Sequence, residues 1–166
     1  MKEGQLEQVA GRWRVRFTRR LGHPPAKVWR ALTEPEHLAA WFPTTIEGDR
    51  VEGAKLRFGF PNGEAPAFDG EMLTYRPPEL MEFTWGADTL RLELRPDGDG
   101  TELTLLDTLE EQGKAARDAA GWHVCLDKLG AHLDGGTAGT EWSEVHPGYV
   151  ERFGPGAATI GPPAGR

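Results

Sequence analysis

Between residues 44 and 108 the chain alternates apolar and polar side chains repeatedly, and the stretch that follows switches to a helical period. Leu56, Phe58 and Phe60 alternate with polar or small neighbours. So do Phe68, Gly70 and Met72, then Met81, Phe83 and Trp85, then Leu90, Leu92 and Leu94, then Leu103 and Leu105. A period of two marks strands with one buried face. Pro61-Asn62-Gly63, Arg76-Pro77-Pro78-Glu79, Trp85-Gly86-Ala87-Asp88 and Pro96-Asp97-Gly98-Asp99-Gly100 are turn sequences between them. Strands spaced this closely pair antiparallel, because a parallel partner needs a long crossover. From about Glu110 to Asp134, Ala115, Ala119, Trp122, Leu126, Leu129 and Leu133 form one helical stripe, and Gly135-Gly136 ends it. An apolar sheet face must be covered, and this helix is the one element long enough to do so. The sequence therefore predicts an α+β fold, a curved antiparallel sheet wrapped around a long C-terminal helix.

The flanks complete that picture. Trp13-Arg14-Val15-Arg16-Phe17-Thr18 alternates as a first strand. Pro25 suits a first helical turn, and Val28, Trp29 and Leu32 then share a face. Thr33 with Glu36 has the spacing of a capping box for a second short helix, which carries Leu38, Trp41 and Phe42 and stops at Pro43. Two short helices thus follow the first strand and plug one end of the sheet. Residues 1–135 form the domain. Residues 136–166 form an extension, with a short helix over about 140–153 from Trp142, Val145, Tyr149, Val150 and Phe153, kinked or restarted at Pro147. After it, Gly, Pro and Ala leave little to bury and read as a disordered tail.

Composition excludes several function classes. The 166 residues fit one domain. Nineteen basic against 26 acidic residues give a net charge of −7, without the basic footprint of a nucleic-acid binder. Cys125 is the single cysteine, so neither an internal disulfide nor a cysteine zinc cluster can form. No apolar run approaches the ~20 residues of a membrane span, and the polar N-terminus lacks a signal peptide's apolar stretch. The expected compartment is the cytoplasm.

The order of elements, with Pro25-Ala26-Lys27-Val28-Trp29-Arg30-Ala31-Leu32-Thr33-Glu34-Pro35-Glu36, Trp41-Phe42, Gly70-Glu71-Met72, Pro77-Pro78, Phe83-Thr84-Trp85 and Gly121-Trp122, resembles the helix-grip (START-like, SRPBCC) superfamily. That superfamily includes START lipid-transfer domains, birch-pollen-allergen proteins and polyketide cyclases. Within it the chain is similar to the family named for the activator of the heat-shock-protein-ninety ATPase, over about residues 10–135. The resemblance covers only the C-terminal-type domain of the eukaryotic co-chaperone. It implies a helix-grip fold and admits ligand carriage, cyclase-like catalysis or chaperone contact, because a fold hosts many functions.

The residues themselves offer no evident catalytic constellation. The one serine, Ser143, lies near the end and no nucleophile elbow surrounds it. His123, Cys125 and His132 do not converge as metal ligands, since helical positions two apart point to different sides. No metal or cofactor is expected. Glu71, Glu82, Glu93 and Glu102 read as a solvated sheet face paired with Arg57, Arg91 and Arg95. The aromatic residues carry the functional signal, because Trp41, Phe42, Phe58, Phe60, Phe68, Phe83, Trp85 and Trp122 all fall on inner faces or near the plug helices. A small hydrophobic or amphipathic ligand is expected between sheet and helix. Its contacts would come from Trp41, Phe42, Phe58, Phe60, Phe83, Trp85, Trp122, His123 and Leu126. His123 either reaches into that cavity as a polar anchor or lies at its rim, and Arg57 is a second candidate anchor only in a shifted strand register. The alternatives are a cyclase- or hydrolase-like enzyme using His123 and a strand carboxylate, and a co-chaperone-like protein acting through its surface; a homodimer would join at a sheet edge or through the C-terminal tail.

Overall fold

The structure, a computed structural model, describes residues 2–161. In chain order the elements are β1 (Gln5–Val9), β2 (Arg12–Leu21), α1 (Pro25–Thr33), α2 (Pro35–Trp41), β3 (Thr45–Glu47), β4 (Lys55–Gly59), β5 (Phe68–Arg76), β6 (Leu80–Trp85), β7 (Asp88–Asp97), β8 (Gly100–Thr108), α3 (Ala115–Leu133) and α4 (Trp142–Phe153). The strands form one antiparallel sheet in the order β1-β2-β8-β7-β6-β5-β4-β3. Strands β3 to β8 are a meander, and β8 closes it by pairing with β2. This is the α+β helix-grip architecture.

Periodicity dictates the core. Phe17, Leu90, Leu92, Leu103, Leu105, Met81 and Phe83 are buried on the inner sheet face. Helix α3 answers with Ala115, Ala116, Ala119 and Ala120 in its first turns, all fully buried, and with Leu126, Leu129 and Leu133 further on. On the outer face Arg91 pairs with Glu82 and Glu93, and Arg95 with Glu102. Arg57 pairs with Asp69 on the neighbouring strand, not with Glu71.

Several local features differ from expectation. A strand precedes the expected first one: β1 pairs with β2 through the turn Ala10-Gly11, both at positive φ (52° and 79°), a conformation that suits a two-residue hairpin. Its sequence buries little, and Glu7 instead holds Arg14 at 2.8 Å and Arg16 at 3.0 Å across the pair. The capping box at Thr33 does not form. The Thr33 hydroxyl donates back to the Trp29 carbonyl (2.9 Å), and Glu34 occupies the N-cap of α2 without a side-chain bond. A 3-10 turn, Gln112–Lys114, replaces the expected first turn of the long helix.

The C-terminal segment packs on the body. Helix α4 runs through Pro147 without a break and buries Tyr149 completely. Beyond it, residues 154–161 are not the disordered tail the composition suggests. Ala157 is buried, and the Ile160 N–H donates to the Gly113 carbonyl (3.1 Å) beside the start of α3. The rest of the expected tail, residues 162–166, lies outside the described residues.

Candidate functional site

Where the ends of β5 and β6 meet the first turns of α3, the sheet and helix diverge and leave a cavity of about 960 Å³ that opens to solvent. Its floor and walls are aromatic. Trp85 ends β6, Phe42 follows α2, and Trp122 projects from α3; their rings stand 5.3 to 5.7 Å apart. Phe68 extends the wall from Trp85 (5.1 Å) toward Phe60 (6.2 Å from Phe68). A Cβ at Gly70 would stand 2.6 Å from the Phe58 ring and 2.8 Å from the Thr84 carbonyl, so only glycine lets Phe58 lie across β5 beneath this wall.

The structure divides the aromatic and apolar candidates. Trp41, Phe42, Phe60, Trp85 and Trp122 line the cavity. Trp41 does so while 2% exposed, its indole N–H donating to the Ala31 carbonyl (2.8 Å). Phe58 and Phe83 are fully buried behind that layer, 5.4 Å apart, and support it. Leu126 lies on a different side of α3, against a smaller recess near Arg19 and Gly139. Arg57 is on the outer face with Asp69. Phe68, one of the aromatics expected on the inner face, also lines the cavity, and so does Trp142, which was expected only as part of the short C-terminal helix. Trp142 reaches it from α4, where its indole donates to the Arg117 carbonyl (3.2 Å).

His123 follows Trp122 directly, and one residue is a rotation of about 100° on a helix. It faces away from the cavity, into the contact between α3, α4 and the N-terminus. The Tyr149 hydroxyl accepts the Gly4 N–H (2.8 Å) and shares a hydrogen bond with His123 Nδ1 (2.7 Å). His123 Nε2 then faces Asp127 at 3.6 Å. Burial lowers the imidazole pKa, with Asp127 opposing it, and favours the neutral imidazole. Asp127 itself is engaged by Arg19 (3.0 Å) and the Thr140 hydroxyl (2.7 Å), and despite burial its pKa falls below the usual value.

The polar end of the cavity comes from residues the sequence did not single out. Asp88 opens β7, Asp107 sits near the end of β8, and Asp118 is in the first turn of α3; each brings a carboxylate oxygen within 4.8 Å of the other two. Asp88 accepts from the Glu110 N–H (2.8 Å) and from Lys114 Nζ (3.1 Å). Asp118 accepts from Arg117 Nε (2.9 Å). Asp107 has zero exposure, and one oxygen accepts the Trp122 indole N–H (3.0 Å) while Oδ1 has no hydrogen-bond partner among the described residues. Burial, with Asp118 and Asp88 adding repulsion, pushes the Asp107 pKa well up. Burial also raises that of Asp118, against the pull of Arg117. One signal of this site was present in the sequence: Asp107 follows Leu105-Leu106 and precedes Leu109, a setting too apolar for a solvated carboxylate.

The family model for Activator of Hsp90 ATPase homolog 1-like protein matches residues 22–134. The chain belongs to this family. The matched span runs from the start of α1 to the end of α3, so it includes every element that builds the cavity except α4. Among solved structures, the chain is similar to a conserved protein of unknown function, EF2215 from Enterococcus faecalis, with a TM-score of 0.77, 19% identity and 90% of each chain covered. It is also similar to CalU16 from Micromonospora echinospora, with a TM-score of 0.71, 24% identity, and 91% of this chain and 94% of that one covered. A third likeness is to DynU16, described as a protein in the dynemicin biosynthetic locus, with a TM-score of 0.66 and 26% identity. There 75% of this chain covers 48% of the other. No curated protein is similar in sequence at a significant level. Among the described residues, no helix of this family member is long and apolar enough to cross a membrane.

Proposed function

We propose that this family member binds a small hydrophobic or amphipathic molecule in the Phe42–Trp85–Trp122 cavity and serves as its carrier or receptor. The observation that carries the reading is the aromatic wall itself. Phe60, Phe68, Trp85 and Trp142 remain partly exposed on an opening of about 960 Å³, a size that takes a drug-sized ligand. Aromatic side chains bury the most apolar surface of any residues, so leaving several at a concave opening is costly unless something covers them. The place of DynU16 in a biosynthetic locus is in keeping with a small-molecule role. Catalysis through His123 draws no support, because both ring nitrogens face Tyr149 and Asp127, away from the cavity.

Native mass spectrometry of gently purified protein, compared with the denatured mass, tests the reading. A reproducible adduct of a few hundred daltons that disappears in Trp85→Ala is the expected result, and the same spectrum reports whether the chain is a monomer or a homodimer. An adduct that persists in Trp85→Ala would place the ligand elsewhere.

A further inference from the structure

The cavity wall is not only aromatic. Five carboxylates line it against three cationic side chains; one of the five, Asp69, is answered from outside the lining by Arg57, which leaves an excess of one carboxylate. Lys114 answers Asp88 and Arg117 answers Asp118. Behind the wall Asp107 is fully buried, and none of the cations lies within ion-pairing distance of it among the described residues. Its Oδ1 accepts no hydrogen bond, although nearly all buried polar atoms in folded proteins find a partner. Its other oxygen is tied to the Trp122 indole. Through Asp107 this cluster therefore adjoins the same tryptophan whose ring, with Trp85 5.7 Å away, walls the cavity. Faces of tryptophan attract cations, and aromatic walls beside carboxylates are the arrangement that recognises organic cations.

We propose that the cavity selects hydrophobic organic cations, holding the positive centre against the Trp85 and Trp122 rings beside Asp118 and Asp88. This rests on the ligand-binding reading and deepens it. The apolar body of such a ligand covers Phe42, Phe60 and Phe68, and its charge lies beside a cluster that sets three carboxyl groups against Lys114 and Arg117 alone. An anion of the same shape meets those carboxylates and is rejected. Burial and mutual repulsion push the Asp107 and Asp118 carboxyls toward protonation in the free protein, and a bound cation reverses that pressure.

The pair tetraphenylphosphonium and tetraphenylborate tests this directly, because the ions match in size and shape and differ in charge. Both are titrated into the full chain and followed by quenching of tryptophan fluorescence. The phosphonium is expected to bind at least about tenfold more tightly than the borate. That preference is expected to shrink severalfold in Asp118→Asn, whose carboxylate is partly exposed, and to vanish in Asp107→Asn/Asp118→Asn. If the double variant does not fold, the wild-type ratio and Asp118→Asn alone still decide. Equal affinities, or a preference for the borate, would overturn the charge selection while leaving an apolar ligand cavity intact. If neither ion binds, the ligand-binding reading fails and this inference fails with it.

Discussion

The two flanks of α3 both bury polar side chains, and they treat them in opposite ways. On the flank facing α4, Gly4, Tyr149 and His123 form a chain of hydrogen bonds, while Asp127 is held by Arg19 and Thr140. A loose end there, among the described residues, is Arg19 Nη2, on a guanidinium whose other nitrogens bond Asp127 and the Lys2 carbonyl. On the flank facing the cavity, three carboxylates crowd together, and the most buried of them lacks a partner. A satisfied buried network stiffens a fold, whereas an unsatisfied one stores a cost that a ligand can relieve. The first flank fastens the C-terminal extension and the N-terminus to the body. The second is where binding is proposed.

The largest effect that separates the flanks is expected from Tyr149→Ala. Removing a fully buried ring should cost about 3–5 kcal/mol in urea unfolding, yet leave cavity affinity for an apolar probe unchanged in the folded protein. Loss of affinity in step with stability would merge the two regions. Next comes Trp85→Ala. The ring is only partly buried but stands among Phe42, Phe58, Phe68 and Trp122. It should cost on the order of 2 kcal/mol of binding, about thirtyfold in Kd, with a smaller loss of stability.

Asp107→Asn sharpens the comparison from the other side. The amide oxygen still accepts the Trp122 indole proton, and the amide nitrogen replaces the partnerless oxygen next to Asp88 and Asp118. At neutral pH this should stabilise the protein by about 1 kcal/mol, since buried ionisable groups are often replaced at a gain. Destabilisation by that amount would show that the carboxylate is held in its charged form.

The smallest effects are those of pH, and they run in opposite directions. Asp107 and Asp118 hold protons more tightly when folded, so their contribution to stability falls as pH rises above the ordinary 3.8. His123 holds its proton less tightly when folded. Its contribution is present above 6.5 and is lost as pH falls below that value. Urea midpoints across this range should show the acid-side loss reduced in His123→Gln and the alkaline-side loss reduced in Asp107→Asn.

The fold was largely legible because its elements are periodic. The alternation of Leu90, Leu92 and Leu94 and the stripe of Ala119, Trp122, Leu126 and Leu129 each fix a buried face without reference to partners. Strand β1 was not legible, since Glu7 with Arg14 and Arg16 holds it by charge, and charge pairing leaves no period. The candidate site was half legible. Its aromatics lie on inner faces, but which rings line the cavity and which lie behind it depends on where sheet and helix diverge. Phe58 and Phe83 sit one layer too deep for contact, and His123 falls on the far flank although it neighbours Trp122. The acidic cluster brings together a strand start, a strand end and a helix start, about 20 and 10 residues apart in sequence, and such convergence has no signature along a chain.

The most direct test of the account reads the indole N–H signals of the six tryptophans by ¹⁵N–¹H NMR while tetraphenylphosphonium is added. The account predicts that Trp85 and Trp122 shift together, the latter through its bond to Asp107, while Trp13 and Trp29, which lie outside the cavity, stay in place. Shifts centred on Trp13 or Trp29, or none at Trp85 and Trp122 at saturating probe, would contradict it.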